Sequence, residues 1–344
     1  MKKIALACVL VLTVSVQAAS GQSSSDNAVP VTVDNFIRAE SDLYFRGILK
    51  DSGAIGKFLH RREPARIDNQ TVIRLNRDTL YSSAVFDLDA GPATVTLPDA
   101  GKRFMSMQVI NEDHYVPEVV YGKGSYTLTK EKVGTRYAAV AIRTLVDPLD
   151  PRDIEQVHAL QDGIKVDQTA AGKFEAPNWD QASQKKVRDS LLALNSTLPD
   201  LRRAFGSRVQ VDPVRHLIGT AAAWGGNPDK DAFYLNLTPA KNDGSTVYKL
   251  DVPTKVPVNA FWSVIVYDAE GRLQKNQYNS YSLNSITAKR NSDGTIPVQF
   301  GGCDGKIPNC IPTMKGWNYM VRLYRPRDEI LSGKWKFPEA KAVN

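Results

Sequence analysis

"RLNRDTLYSSAVFDLDAGPATVTLPD", residues 74–99, decides the fold class of this chain. Apolar and polar residues alternate from Leu80 to Leu88, which is typical of a strand with one buried face. The turn "DAGP" and a second short apolar run, "ATVTL", follow at once. Short strands separated by a turn about every ten residues predict an antiparallel β-sandwich.

The same stretch contains an anomaly at its start. Asn76 and Asp78 lie in register with Leu80, so a continuous strand would place polar and core-facing side chains on one face. These two residues either satisfy backbone groups or contact a second domain, or they line a site. If the strands that follow formed a simple meander, Asp78 and Asp113 would lie at opposite ends of the sheet.

The pattern along the 344 residues changes twice, which predicts a mainly β protein of two domains joined by helices. Helical spacing replaces alternation at Asp147, and β patterning returns near residue 215. We expect the following parts: a signal peptide (1–19), a flexible lead-in (20–31), an N-terminal β-sandwich domain with a leading helix (32–147), a helical connector (148–210) and a C-terminal β domain (211–344).

The N-terminus "MKKIALACVLVLTVSVQAAS" has a basic start, a short apolar run and a small-residue cleavage signal. These features predict a secretory signal peptide, and therefore a secreted or periplasmic protein with no integral membrane segment after cleavage. Loss of Lys2 and Lys3 lowers the formal charge from +7 to +5. The remaining charge is spread along the chain without a basic block, so nucleic-acid binding is not indicated.

Two cysteines remain after cleavage, Cys303 and Cys310 in "CDGKIPNC". A close pair in a secreted protein predicts a disulfide. The alternative is a metal pair, which needs further ligands, and no histidine lies in the last third of the chain. The sequence therefore predicts no metal site and identifies no cofactor.

Standard catalytic signatures such as G-x-S-x-G and H-E-x-x-H are absent from the sequence. The densest polar cluster is "NEDHY", residues 111–115. Its Asp113 and His114, together with Asp78, are candidates for acid–base chemistry or for binding a hard cation. The cluster is equally typical of a solvated loop at a strand end.

The C-terminal half is rich in polar aromatic residues, including Trp262 and Tyr267. The stretch "KNQYNSYSLNS", residues 275–285, adds Asn276, Tyr278 and Tyr281. Rings that stack and amides that fix orientation suit sugars or small polar organic molecules. The alternative is a loop that covers the sandwich and satisfies its tyrosine hydroxyls locally.

Several of these motifs resemble two bacterial domain families. "NRDTLYSSAVFDLDAGPATVTLPD", "RFMSMQVINEDHY" and "AIRTL" resemble domain-of-unknown-function family 1254. "WGGNPDKDAFYLNL", "PVNAFWSVIVYDAEGRLQKNQYNSYSLNS", "DGTIPVQF" and "YMVRLYRP" resemble family 1214, its usual C-terminal companion. The resemblance covers roughly residues 33–340 and implies an immunoglobulin-like β-sandwich, a helical connector and a jelly-roll-like β domain.

The resemblance brings no established activity. The family motif residues are structural as readily as functional: Asn76, Asp78, Tyr81, Trp262, Tyr267, Asn276 and Tyr281. One segment departs from the family pattern, because "CDGKIPNCIPTMKGWNY" stands where an Asn-Trp-Leu-Pro stretch is usual. A covalent clip between the two cysteines there replaces the packing of that stretch.

Three hypotheses of function follow. The first is binding of a small polar or glycan-like ligand at the interface of the two β domains, through Asn76, Asp78, Tyr81, Trp262, Tyr267, Asn276, Tyr278 and Tyr281. The second is a carboxylate-dependent hydrolase, with or without a bound cation. The third is a structural or assembly role in the cell envelope. The sequence leaves open whether the protein is an enzyme and whether it forms a homo-oligomer.

Overall fold

The computed structural model describes residues 27–70 and 72–343. The predicted signal peptide, residues 1–19, and most of the predicted lead-in lie outside the described residues. Within the described part the chain is mainly β, as predicted, and its sheets form two β-sandwiches.

The first half of the chain contains these elements in order: α1 (Phe36–Ser52), β1 (Leu59–His60), β2 (Thr79–Asp87), β3 (Ala93–Leu97), β4 (Met105–Asn111), β5 (Glu118–Tyr121), β6 (Gly124–Leu128), α2 (Lys130–Val133), β7 (Tyr137–Leu145), α3 (Pro151–Asp162) and β8 (Lys165–Asp167). The second half continues with α4 (Gln181–Asn195), α5 (Pro213–Ala222), β9 (Ala232–Leu237), β10 (Tyr248–Val252), β11 (Trp262–Tyr267), β12 (Ser282–Asn284), β13 (Ile296–Phe300), β14 (Cys310–Ile311), β15 (Asn318–Tyr324), α6 (Asp328–Leu331) and β16 (Lys341–Ala342).

The N-terminal sandwich packs a five-stranded sheet, in the order β1-β2-β7-β4-β5, against a three-stranded sheet, β6-β3-β8. One face of the larger sheet, with Phe86 and Met107, shares a core with Val95 of the smaller sheet. The strands do not form a simple meander, because β2 pairs with β7 while β3 belongs to the other sheet. The turn after β2 therefore carries the chain from one layer to the other.

The start of β2 differs from the sequence expectation as well. The strand begins at Thr79, so Asn76 and Asp78 precede it and do not extend its core-facing register. The Asn76 amide instead lies near the Thr79 and Tyr81 hydroxyls, on the strand face opposite to the core residue Phe86. The Asp78 carbonyl accepts from the Val146 N–H at 2.9 Å, so residue 78 still lies beside the end of β7, while its carboxyl faces Arg322 and Ser263 of the second domain.

Helices cover the outer face of the five-stranded sheet. α1, α4 and α5 pack together through Phe36, Leu191 and Ile218. α1 also contacts the sheet, where Phe45 shares a cluster with Val85. α3 and α4 lie within the predicted connector, but α5 begins at residue 213, beyond its predicted end at 210.

The C-terminal sandwich has two four-stranded sheets, β14-β13-β10-β16 and β12-β11-β15-β9. Trp262, Val264 and Val266 of β11 point into the core between them. The other face of β11 is also buried, because Ile265 and Tyr267 pack against Leu75 and Ile67 of the irregular stretches 61–70 and 72–78. The segment that leads into β2 therefore covers the outer face of a sheet in the second domain.

Cys303 and Cys310 form a disulfide with a Cα–Cα distance of 5.7 Å, as the sequence predicts. Ser280 Oγ donates to the Cys310 carbonyl, and Tyr278 OH donates to that of Cys303, so the clip supports the polar loop beside it. Each helix in the described part of the chain is too short or too polar to cross a bilayer.

Candidate functional site

Asp78 is the central residue of a buried polar cluster between the two sandwiches. Its side chain is enclosed, with 1% of the residue exposed. Neither carboxylate oxygen makes a hydrogen bond of ordinary geometry with a described residue, although the side chains of Ser263 and Asn284 lie close enough to lower the pKa of the carboxyl. Desolvation raises the pKa of this carboxyl above its ordinary value, and the positive charge of Arg322 opposes the shift only in part.

Two polar groups of the second domain face Asp78 and also lack a partner. Ser263 of β11 and Arg322 of β15 are directly paired residues of neighbouring strands, and both are buried. Ser263 Oγ and Arg322 Nη1 make no hydrogen bond within the described part of the chain. An unsatisfied buried polar group costs about 1–3 kcal/mol, so three such groups close together require an explanation.

The rest of the Arg322 guanidinium is held firmly. Its Nη2 donates to the Arg74 carbonyl at 2.8 Å and to the Tyr267 hydroxyl at 2.9 Å. The Tyr267 hydroxyl in turn donates to the Leu75 carbonyl at 2.7 Å. Because the anchoring carbonyls belong to the covering segment 72–78, Nη1 is fixed at the boundary of the two domains.

Asn76 ties the covering segment to both sandwiches. Its Nδ2 lies 3.3 Å from the Tyr81 hydroxyl and 3.0 Å from the Tyr324 hydroxyl. Its Oδ1 accepts from the backbone N–H of Asp78 at 2.9 Å. One amide therefore orients the backbone of Asp78 and bridges the domains.

Arg143 of β7 extends the cluster on the first domain. Its guanidinium lies over the Tyr81 ring, 5.4 Å from the centroid. Nη1 donates to Gln108 at 2.6 Å, and Nη2 donates to the Gly225 carbonyl at 2.9 Å. The segment 224–227 lies between α5 and β9, and its backbone carbonyl at Gly225 thus holds Arg143 in place.

A second buried carboxylate, Asp231, lies beyond Arg143. The Tyr121 hydroxyl donates to its Oδ1 at 2.8 Å, while Oδ2 has no partner among the described residues. Arg325 covers the Tyr121 ring at 4.4 Å and has a left-handed backbone, with a φ of 52°. Such a backbone is uncommon outside glycine and is held here by its surroundings, since the Arg325 N–H donates to the Asp231 carbonyl.

The structure brings four of the predicted ligand-binding residues together: Asn76, Asp78, Tyr81 and Tyr267. Tyr281 packs in the same apolar cluster as Tyr267, beneath the Arg77 guanidinium. The other three lie elsewhere. Trp262 faces the core of the C-terminal sandwich, whereas Asn276 Oδ1 accepts from the Tyr278 N–H and shapes the loop.

The other two predicted catalytic candidates lie at the far end of the five-stranded sheet. Both β2 and β4 pair with β7, and the start of β2 lies at one end of β7 (Thr79–Leu145) while the end of β4 lies at the other (Asn111–Ala138). Asp78 and Asp113 therefore lie at opposite ends of the sheet, as predicted. Asp113 is half-exposed and forms an ion pair with Arg38.

His114 is buried, and both of its ring nitrogens are used. Nε2 accepts from the Gly225 N–H at 2.8 Å, so Nδ1 carries the proton and donates to Thr220 Oγ1. Burial holds the pKa of this imidazole well below its ordinary value, and His216 beside it lowers it further. A neutral histidine with two partners fits a structural role better than proton transfer.

Ser263, Arg322, Tyr324 and Arg143 were missed by sequence reasoning. Each alternates with core residues along its strand and so resembles an outward, solvated position. A signal exists in "NYMVRLY", where one arginine interrupts a strand whose residues are otherwise mostly apolar. No group of three or more His, Cys, Asp or Glu side chains with metal-binding geometry occurs among the residues described.

Comparisons with known proteins agree with the two-domain organisation. Residues 55–168 match the family "Protein of unknown function (DUF1254)", and residues 234–328 match "Protein of unknown function (DUF1214)". The search of curated proteins found no match. The confirmed order of the two families places Asn76, Asp78 and Arg143 in the first domain and Ser263 and Arg322 in the second.

Two crystal structures have a similar fold. A protein from Vibrio parahaemolyticus is 18% identical with a TM-score of 0.70, over 91% of this chain and 98% of that chain. An uncharacterized protein from Burkholderia cenocepacia is 15% identical with a TM-score of 0.52, over 90% of this chain and 87% of that chain. The chain therefore matches the DUF1254 family model in its first half and the DUF1214 family model in its second half, in the predicted order.

Proposed function

We propose that this protein is secreted or periplasmic and binds a small, hydroxyl-rich, glycan-like molecule at the interface of its two β domains. The observation that supports the proposal is the Asp78 carboxylate, which is enclosed and makes no hydrogen bond of ordinary geometry on either oxygen within the described residues. Ser263 Oγ and Arg322 Nη1, also unpartnered, supply donors from the other domain.

A hydroxyl group matches this arrangement. It donates a hydrogen bond to the Asp78 carboxylate and accepts one from Arg322 Nη1 at the same time. Charge-assisted hydrogen bonds of this kind are about twice as strong as those between neutral groups. The tyrosine rings nearby, Tyr81 and Tyr324, provide apolar surface with a polar edge, as sugar rings require.

Two features support the proposed secreted or periplasmic location. The N-terminal sequence has the three parts of a secretory signal, and the disulfide is of a kind that persists in oxidising compartments. Because Asp78 is enclosed, a ligand reaches it only when the domains separate locally, and we expect slow association.

The test is a thermal-shift screen of the chain from residue 20 onward against sugars, polyols, organic acids and lipids. We expect hydroxylated compounds to raise the unfolding temperature, and Asp78→Asn to abolish that rise. Asp251→Asn, at an exposed position of β10, is the matched control and should leave the rise intact. No shift with any class of compound would contradict the proposal.

Carboxylate-dependent hydrolysis is a second candidate, favoured by the same carboxyl. Because burial raises the pKa of Asp78, the carboxyl remains protonated at a higher pH than an exposed aspartate and is suited to act as a general acid. Turnover of chromogenic glycosides that disappears in Asp78→Asn would favour hydrolysis. Binding without turnover would favour the first proposal.

A further inference from the structure

The polar cluster between the domains contains more positive than negative side chains. Four arginines and two aspartates contribute to it: Arg74, Arg143, Arg322, Arg325, Asp78 and Asp231. None of these six forms an ion pair at 4 Å or less with another described residue. Elsewhere in the chain, arginines such as Arg136 and Arg188 do pair with carboxylates.

Like charges are held close together in this cluster. The guanidiniums of Arg74 and Arg322 lie 5.7 and 6.0 Å from the centroid of one ring, that of Tyr267. Their proximity is unfavourable and lowers the pKa of Arg74, after the larger effect of burial. Arg143 lies across the Asn76 bridge, on the Tyr81 ring.

The neighbours of these arginines supply dipoles and ring faces but little negative charge. Arg322 is held by a carbonyl and a hydroxyl, and Arg143 by an amide oxygen and a carbonyl. Such contacts offset part of the desolvation of a cation, yet a buried charge is normally also paired with an opposite one. If both aspartates are ionised, four cations and two anions leave an excess of two positive charges.

We propose that the ligand of the interdomain site carries a carboxylate in addition to its hydroxyl groups, and so belongs to the sugar acids and related hydroxylated carboxylic acids. This inference rests on the function proposed above and specifies its ligand class. The hydroxyls are bound by Asp78 and Ser263, while the carboxylate lies on the side of Arg322 and Arg143, which both neighbour Tyr324, and balances their charge. A neutral sugar satisfies the hydrogen bonds and leaves the charge excess.

Two matched pairs of probes test the inference: D-glucuronate with D-glucose, and D-galacturonate with D-galactose. The members of each pair differ by a carboxylate in place of a hydroxymethyl group. We expect calorimetric titration at pH 7 to give an affinity at least about tenfold higher for an acid than for its neutral partner. The advantage should shrink as salt is raised, although less than for exposed charges.

Arginine variants examine the source of the selectivity. Arg143→Gln and Arg322→Gln should each reduce the acid-to-neutral affinity ratio, whereas Arg188→Gln, remote from the site and paired with Glu40, should leave the ratio unchanged. If either glutamine variant fails to fold, Arg143→Lys keeps the charge without the planar fork. It should retain most of the preference, since the inference depends on charge.

The outcomes separate the inference from the proposed function. Equal affinity for both members of a pair, or binding of neutral sugars alone, overturns the inference and leaves the proposed function standing. Binding confined to other hydroxylated carboxylic acids, and absent for their neutral analogues, supports it. No binding by any compound of the panel overturns both.

Discussion

The Asn76 side chain donates a hydrogen bond of 3.0 Å to the hydroxyl oxygen of Tyr324, a residue 248 positions later in the chain. The same amide lies 3.3 Å from Tyr81 OH in the first sandwich, and its oxygen accepts from the Asp78 N–H. One neutral side chain therefore joins the two domains at the point where the unpartnered carboxylate lies.

Replacement of Asn76 by Ala removes the bridge and leaves Tyr324 and the Asp78 backbone without this partner. We expect a loss of about 1–3 kcal/mol, the range for buried hydrogen-bonding groups. Because the lost contacts join the domains, urea unfolding should also become less cooperative, with separable transitions. Asn291→Ala, at an exposed turn, is the control. A single transition at the wild-type midpoint would show that the bridge contributes little.

Sequence reasoning identified the polar residues before β2 but not their partners. Alternation along a strand reports which face is buried and does not report which strand lies beside it. Contacts between distant segments determine which strands pair, such as β2 with β7. They also determine that Asp78 lies beside Ser263 and Arg322. The start of α5 could have been predicted locally, since Asp212 caps it and Pro213 occupies its first position.

Asp78→Asn should make the ligand-free protein more stable at neutral pH while removing ligand binding. The folded state raises the pKa of this carboxyl above 3.8, so it binds the proton more tightly than the unfolded chain does. The associated stability is present at low pH and is lost as the pH rises above that value. An amide avoids the loss, and we expect an increase of about 2–4 °C in the unfolding temperature at pH 7.

The comparison should be made without ligand at pH 4 and pH 7, with Asp251→Asn as the control. The gain from Asp78→Asn should appear at pH 7 and be small at pH 4. A variant that is less stable than wild type at both values would indicate that the ionised carboxylate is well solvated in the folded protein.

Asp42, in the helical layer, should give the stability of the protein a separate dependence on pH. It is buried on α1, and its Oδ2 accepts from Trp179 Nε1 at 2.8 Å. Desolvation raises its pKa to about 6, and Glu112 contributes in the same direction. The folded state thus keeps the proton up to about pH 6, whereas the unfolded chain loses it near 3.8, so stability falls between these values.

Asp42→Asn retains the acceptor for Trp179 and cannot ionise. Relative to wild type, we expect the variant to gain on the order of 2–3 kcal/mol between pH 4 and pH 7 in urea denaturation. Asp34→Asn, exposed before the same helix, should show no such trend. Parallel stability profiles of wild type and Asp42→Asn would refute the assignment.

The disulfide should contribute to stability mainly by restricting the unfolded chain. The closed loop from Cys303 to Cys310 is short, and the chain-entropy relation gives about 2.5 kcal/mol. Replacement of both cysteines by serine should lower the urea midpoint accordingly. Dithiothreitol should lower the midpoint of the wild type and leave that of the double variant unchanged. Sensitivity of the variant to the reductant would point to another cause.

An added methyl group should have opposite effects on stability at two glycines of the chain. A Cβ at Gly226 would lie 2.5 Å from the Phe205 ring, whereas one at Gly47, within α1, would meet nothing within 4 Å. Gly47→Ala should therefore stabilise the protein by about 0.5–1 kcal/mol through helix propensity. Gly226→Ala should destabilise it by about 1–3 kcal/mol, as overpacking does.

The effect of Gly226→Ala should also reach the interdomain site. The Gly226 carbonyl accepts from Gln108 Nε2 at 2.8 Å, and Gln108 in turn accepts from Arg143. A shift of segment 224–227 would move the guanidinium as well as the backbone. Titration with any compound found to bind should then show weaker affinity in Gly226→Ala and unchanged affinity in Gly47→Ala. Equal affinities in the two variants would separate Arg143 from the segment that holds it.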